Sequence, residues 1–221
     1  MKPLLFYMNA SNYAQILEDL HNIPCDKFIV NYTPYPHPHN LARDFFLAHP
    51  QYTHLIVQPQ DLHVKKEHYE KLIETVEKTG HDVVSCVCNV EREGHPHHNM
   101  WAICKKIPSK DKQRRKYNWV PATDEKLGLM EVEFQGMVFT CISRRVIERK
   151  MIDGEWAFKG TVHVGNDRFL AAPDLTFAHC CRELAIKQYA DTDIRLVHYA
   201  NHKPSLVNKN LSSTEYIQCH G

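Results

Sequence analysis

Apolar, strand-like runs alternate with helix-spaced segments through the first 88 residues, and this alternation narrows the possible folds more than any other feature of the chain. Residues 3–9 (PLLFYMN), 27–33 (KFIVNYT), 53–58 (THLIVQ) and 81–88 (HDVVSCVC) read as strands. Between them, helices are expected over 11–21, starting at Ser11 or Asn12, over 40–49 and over 65–79. Three successive βα units of this kind point to a largely parallel sheet with helices on its faces. The stretch 52–70 is the most informative. Leu55, Ile56 and Val57 suit a strand covered on both faces, and Pro59 ends it. Tyr69, Leu72, Ile73 and Val76 recur at helical spacing, with Gly80 as the C-cap. Asp61 therefore falls just past a buried strand, on the edge where open α/β sheets bind ligands. A carboxylate there can hold a metal on a phosphate, or it can cap a turn or helix.

Beyond residue 89 the pattern changes. Residues 100–105 and 129–134 look like strands joined by a long polar loop carrying Lys105, Lys106, Lys110, Lys112, Arg114, Arg115 and Lys116. Such a loop is a solvated, mobile hairpin or a contact for a phosphate-bearing acceptor or membrane surface. Gly136 is expected to open a strand, GMVFTCIS, that runs into a short helix, RRVIERK. A helix over 174–188 and a closing strand over 189–198 complete the reading. With no long repeat and no clean linker, 221 residues are read as one domain.

Composition excludes several classes. A net charge of +1 gives no nucleic-acid footprint. No apolar run approaches the roughly 20 residues needed to cross a bilayer, and the opening MKPLLFYMNASNY has too short an apolar core for a secretory signal, so a cytoplasmic protein is expected. The eight cysteines are scattered, with Cys86 and Cys88 on a strand and Cys180 and Cys181 on a helix. Such placements suit reduced, partly buried thiols. P-loop, GxGxxG, HExxH and GxSxG motifs are absent, so a ligand must be held by side chains or a metal. The 16 histidines cluster as His37-Pro38-His39 and His95-Pro96-His97-His98. Both runs lie in expected loops with no Cys pair nearby to complete a zinc site.

Three separated segments then carry a resemblance. They are LARDFFLAHPQYTHLIVQPQDLHV (41–64), FQGMVFTCISRRVIERK (134–150) and APDLTFAHCCRELAIKQYADTDIRLVHY (172–199). Together they resemble the nucleotide-sugar glycosyltransferases of the GT-A fold, in particular small members of the glycosyltransferase-2 type. The first is similar to the family's Arg-bearing helix and the strand that delivers its D-x-D motif, here Pro59-Gln60-Asp61. The second is similar to the glycine-led strand and helix on the acceptor side. The third is similar to the terminal helix, strand and histidine, and it is the most specific of the three. The first Asp of D-x-D is replaced by Pro59, and the acidic residue before the family's base by Pro173.

The resemblance implies a GT-A-like single domain, with a Rossmann-like nucleotide-sugar-binding half over 1–99 and an acceptor and catalytic half over 100–221. It implies a hexosyltransferase-type enzyme that moves a sugar, with inversion, from a nucleotide-diphosphate donor to an acceptor hydroxyl. The acceptor, whether glycan, protein or lipid, is left open, and peripheral membrane contact through 105–116 is compatible with it. Asp61 would bind Mn²⁺ or Mg²⁺ bridging the diphosphate. His198 would be a second metal ligand or a diphosphate contact, and read alone is a core histidine. Asp174 would be the general base, and read alone is a carboxylate favoured by a helix dipole. Asp167 is its rival. Asn9, Asn31 and Arg43 would line the nucleotide, although Arg43 equally suits a pair with Asp44 or Glu70. A catalytically inactive GT-A-like nucleotide-binding protein and a His-rich metal-binding module are the alternatives.

Overall fold

The computed structural model describes residues 1–9, 14–31, 37–90, 100–101, 103–108, 117–121, 128–149, 161–164, 167–170, 173–200 and 203–206. In chain order the elements are β1 (Pro3–Asn9), α1 (Ala14–Asn22), β2 (Asp26–Asn31), α2 (His37–Ala48), β3 (His54–Gln58), β4 (Leu62–His63), α3 (Lys66–Thr79) and β5 (Val83–Val90). They continue with β6 (Met100–Trp101), β7 (Ile103–Pro108), β8 (Tyr117–Pro121), β9 (Leu129–Val132), β10 (Phe134–Gln135), β11 (Thr140–Ser143) and α4 (Arg144–Ile147). The chain closes with β12 (Thr161–Val164), β13 (Asp167–Leu170), α5 (Pro173–Glu183), β14 (Gln188–Ala200) and β15 (Lys203–Leu206).

The central sheet runs β15-β14-β5-β11-β3-β1-β2. β1 pairs in parallel with β2 and β3, and β14 in parallel with β5. β11 lies antiparallel between β3 and β5, so five of these strands share one direction in a mixed, mostly parallel sheet. Strands from both halves of the sequence enter it. β1 shows why parallel order suits this sequence. All seven of its residues are buried, with Leu5 and Tyr7 packed in one apolar layer and Leu4, Phe6 and Met8 in the other. A strand covered on both faces reads as a continuous apolar run. The first layer takes Ile16 and Leu20 of α1 and Leu72 and Val76 of α3. The second takes Ala42 and Phe46 of α2, Val146 and Ile147 of α4, and Phe177 and Cys181 of α5. Truncating one such leucine to alanine costs about 2–5 kcal/mol.

Several expectations need correction. The His37-Pro38-His39 run opens α2 rather than a loop, because proline is tolerated in a first turn, where its missing N–H has no helical acceptor. His95-Pro96-His97-His98 lies outside the described residues, as do Ser11 and Asn12. The polar segment after residue 105 is in part the expected hairpin, with Lys105 opposite Val120 and Pro108 opposite Tyr117, and the strand expected to end at 105 continues to Pro108; residues 109–116 lie outside the described residues. The strand expected from Gly136 begins at Thr140. Met137 and Phe139 take positive φ values of 52° and 45°, and Gln135 Oε1 accepts from the Met137 N–H at 2.6 Å and the Thr140 hydroxyl at 2.8 Å. Asp167 stands on a strand, opposite Val164.

The helix expected to reach residue 188 stops at Glu183. Ala185 adopts φ 54°, the Ile186 N–H returns to the Cys181 carbonyl at 2.7 Å, and the Ala185 N–H to that of Arg182 at 3.0 Å. This is a Schellman ending built without glycine. The end of α3 uses the expected residue: Gly80 has φ 66° and its N–H bonds Val76 O at 2.8 Å. Cys25, Cys86, Cys88, Cys141, Cys180 and Cys181 are free thiols, as expected.

The left-handed strain at Ala185 is measurable. Ala185→Gly should raise stability in urea unfolding by about 0.5–1 kcal/mol. Gly80→Ala should lower it by about 1 kcal/mol, since an added Cβ there meets no atom within 4 Å and the cost is purely conformational.

Candidate functional site

The ends of β1 and β2 form the point where the chain changes face. The connection after β1 leads to α1, on the first apolar layer, and that after β2 leads to α2, on the second. In the order β3-β1-β2 the strand order reverses between β1 and β3, and open α/β sheets bind ligands outside the carboxyl ends of their strands at such a reversal. Asn9 and Asn31, the last residues of β1 and β2, meet on this carboxyl edge, with Asn9 Nδ2 donating to Asn31 Oδ1 at 2.8 Å. His39 of α2 is buried with its ring edge-on to Phe6 at 5.4 Å. Burial lowers its pKa from 6.5 to about 4.

The turn after β3 holds Asp61 on the same edge. Pro59 stops the strand, and the turn is pinned from three sides. Tyr7 of β1 donates its hydroxyl to Gln60 O at 3.3 Å, and Gln58 Nε2 donates to Leu62 O at 3.2 Å. The Tyr199 N–H donates to Asp61 O at 2.7 Å. Beyond the turn, β4 pairs antiparallel with β14, placing Leu62 opposite His198 and His63 opposite Val197. That pairing brings two residues 137 positions apart into contact: His198 Nε2 lies 3.1 Å from Asp61 Oδ2. Both side chains retain partial exposure, 34% for Asp61 and 19% for His198. Beneath them is the buried Cys88 thiol, pushed far up in pKa by burial and by the nearby Asp61 carboxylate.

The His198 ring and the Asp61 carboxylate pair directly with each other at hydrogen-bond distance. Two neighbouring ligands of an octahedral ion with bonds near 2.1 Å lie about 3 Å apart, which is the Asp61–His198 separation. Among the described residues no cluster of three or more His, Cys, Asp or Glu side chains could hold an ion by itself. A cation on this pair would take two protein ligands, a carboxylate oxygen of the kind that suits Mg²⁺ or Mn²⁺ and an imidazole nitrogen of the kind that suits later transition metals, and would complete its shell with phosphate and water oxygens.

The remaining candidates are placed separately. Arg43 Nε donates to Asp44 Oδ1 at 2.6 Å, the neighbour named as one alternative, while Glu70 pairs with Lys66 at 3.6 Å. Asp174 occupies the first turn of α5 and is half-buried, where the helix dipole favours a carboxylate. Pro173 occupies the first helical position, a preferred place for proline, so its departure from the acidic pattern costs the helix nothing. Sequence reasoning missed the residues that support the Asp61 turn. Gln58 follows the apolar run Leu55–Val57 at the end of β3 and is fully buried, and an amide at that position was the available signal. His63 is also buried and bonds Asp19 of α1 through Nε2, a pairing across 44 positions that no local pattern shows.

No family model matches the chain, and no curated protein matches it. Among solved structures it is similar to "Crystal Structure of A197 from STIV", with a TM-score of 0.62 and 16% identity over 98% of this chain and 100% of that one. At that identity the likeness speaks for the fold alone.

The depressed pKa of His39 gives the site region an acid liability. The folded protein resists protonation of this ring until about pH 4, whereas the unfolded chain takes the proton near 6.5. The contribution is therefore complete above pH 6.5 and is lost as pH falls toward 4. Between those values His39→Gln should lose less stability than the parent protein, by up to about 3 kcal/mol, as read by urea unfolding at each pH.

Proposed function

We propose that the chain is a GT-A-like glycosyltransferase that uses a nucleotide-diphosphate sugar. The observation that carries this reading is the meeting of Asp61 and His198 on the carboxyl edge of a mostly parallel sheet, the edge that also holds the Asn9–Asn31 contact. The nucleoside would sit over Asn9 and Asn31, with Arg43 of α2 on its flank and the diphosphate directed toward Asp61. Asp61 and His198 would hold Mn²⁺ or Mg²⁺, which when bound supplies positive charge for the leaving diphosphate. Asp174 would take the proton from an acceptor hydroxyl as that oxygen attacks the anomeric carbon, breaking the bond to the diphosphate and inverting the centre. In this reading the elements before residue 100 bind the donor and those after it supply the acceptor side. The acceptor class, any contact through the basic residues 105–116 and a cytoplasmic setting belong to the same proposal. For its part, the structure has no described helix long and apolar enough to cross a membrane.

A second reading is favoured by Pro59. Without the first carboxylate of D-x-D, the same edge would bind a nucleotide without turning over, as an inactive GT-A-like protein. Metal-dependent hydrolysis or transfer from a donor sugar separates the two readings.

Thermal shift with nucleoside diphosphates is the first test. Added Mn²⁺ should raise the melting temperature further in the parent protein and not in Asp61→Ala, while the metal-free melting temperature changes little. An equal Mn²⁺ effect in that variant would remove Asp61 from the site.

For catalysis, Asp174→Asn should slow transfer by about 10²- to 10⁴-fold while donor affinity stays near that of the parent. Asp167→Asn should be close to the parent rate. The opposite outcome would move the base from α5 to β13.

A further inference from the structure

Gln58 lies at a point where packing alone gives no reason for an amide. It is the last residue of β3 and fully buried, and the strand residues before it, Leu55, Ile56 and Val57, are all core hydrophobics. Its Nε2 donates to Leu62 O at 3.2 Å, but its Oε1 is shut from solvent with no hydrogen-bond partner among the described residues. A buried acceptor left unpaired carries a desolvation penalty that an apolar residue of the same size would avoid. What the amide supplies is a donor that spans the turn from position 58 to position 62. Asp61 lies between those two anchors.

The second anchor comes from the neighbouring strand. Tyr7, buried on β1 and opposite Gln58 in the strand register, donates to Gln60 O at 3.3 Å. Gln58 and Tyr7 therefore hold the carbonyls on either side of Asp61. On the far side of the turn, the Tyr199 N–H holds Asp61 O and β14 presents His198. With its backbone held at residues 60, 61 and 62, Asp61 has little freedom to move away from His198. The rest of the turn offers less restraint, since Leu62 N to Pro59 O is a long 3.4 Å bond.

We propose that Gln58 and Tyr7 are positioning residues that preform the Asp61–His198 pair from beneath, so that the two ligands are spaced for a divalent cation before one arrives. The inference rests on the reading of that pair as a cation site, but the preformed contact itself is a property of the metal-free protein. A site whose ligands are already placed binds without first ordering a loop, and so loses less of its binding energy. Neither residue touches substrate or cation in this arrangement; each acts through the backbone that carries Asp61.

The test uses the full chain and two readouts. The imidazole NMR signals of His198, assigned by their loss in His198→Gln, report its contact with Asp61 without metal. Calorimetric titration with MnCl₂ alone reports the cation site. In Gln58→Met, which keeps the volume and removes the donor, the His198 signals should move toward their positions in Asp61→Asn, and Mn²⁺ affinity should fall about tenfold. Tyr7→Phe should shift both readouts in the same direction by a smaller amount. A folded Gln58→Met with parental His198 signals and parental Mn²⁺ affinity would overturn the proposal. Should Gln58→Met fail to fold, Tyr7→Phe is the deciding variant, and parental signals in it would overturn the proposal equally. If the parent protein takes up no Mn²⁺, the cation reading falls, and the positioning role is then judged by the His198 signals alone.

Discussion

The arrangement depends on the parallel pairing of β14 with β5. This pairing places Leu196 beside Cys88 and carries β14 across the sheet in the same direction as β1, β2 and β3. Because β14 is 13 residues long, it passes beyond the body of the sheet and offers its far end to β4. There its backbone takes up the turn after β3, and its side chains bring His198 to Asp61. A parallel pair needs a long crossover, and here the whole of α5 and the hairpins before it lie between the two partners. The candidate site is therefore assembled at the cost of closing a very long loop.

The register of β14 is adjusted to serve both ends. Between Ala190 and Arg195 it shifts against β5, and the polar groups of that stretch are satisfied locally. Asp191 accepts from the Thr75 hydroxyl at 2.8 Å and from the Asp193 N–H at 3.1 Å. Thr192 Oγ1 accepts from the Gly128 N–H at 2.8 Å and donates to its carbonyl at 2.9 Å. A bulge bends and twists its strand, and this one is tied to α3 and to the residue before β9. The resulting path fixes which faces His198 and Tyr199 present to the Asp61 turn.

The core contributes rigidity rather than chemistry. Cys86, Cys88 and Cys141 share the first apolar layer, and burial drives each thiol far up in pKa, so they behave as small hydrophobes. The opposite edge of the sheet is fastened by Arg144. Its guanidinium donates to the carbonyls of Tyr52, Phe46 and His49 at 2.7–2.8 Å and lies over the Phe46 ring at 4.3 Å. This single side chain ties the start of α4 to the end of α2 and the residues before β3. Those ties hold the far end of the strand that delivers Asp61.

The sequence alone was sufficient for the βα alternation of the first 90 residues, for the end of β3 at Pro59, for the Gly80 cap and for a late strand that carries His198, though not for β15, which follows that strand and pairs with it. Each of these rests on local signals: apolar period, a missing N–H, freedom at positive φ. It also placed Asp61 past a strand end. Local signals could not show that β11 would insert antiparallel between β3 and β5, that Ala185 would end α5 in a left-handed turn, or that Met137 and Phe139 would take positive φ under the hold of Gln135. Those outcomes follow from what surrounds each residue, and the surrounding groups lie far away in sequence. The same holds for the candidate site. The residue types were legible one at a time, whereas the contact of Asp61 with His198 and its bracing by Gln58 and Tyr7 exist only once β4 zips onto β14, because hydrogen bonds between distant strands have no signature in either strand alone.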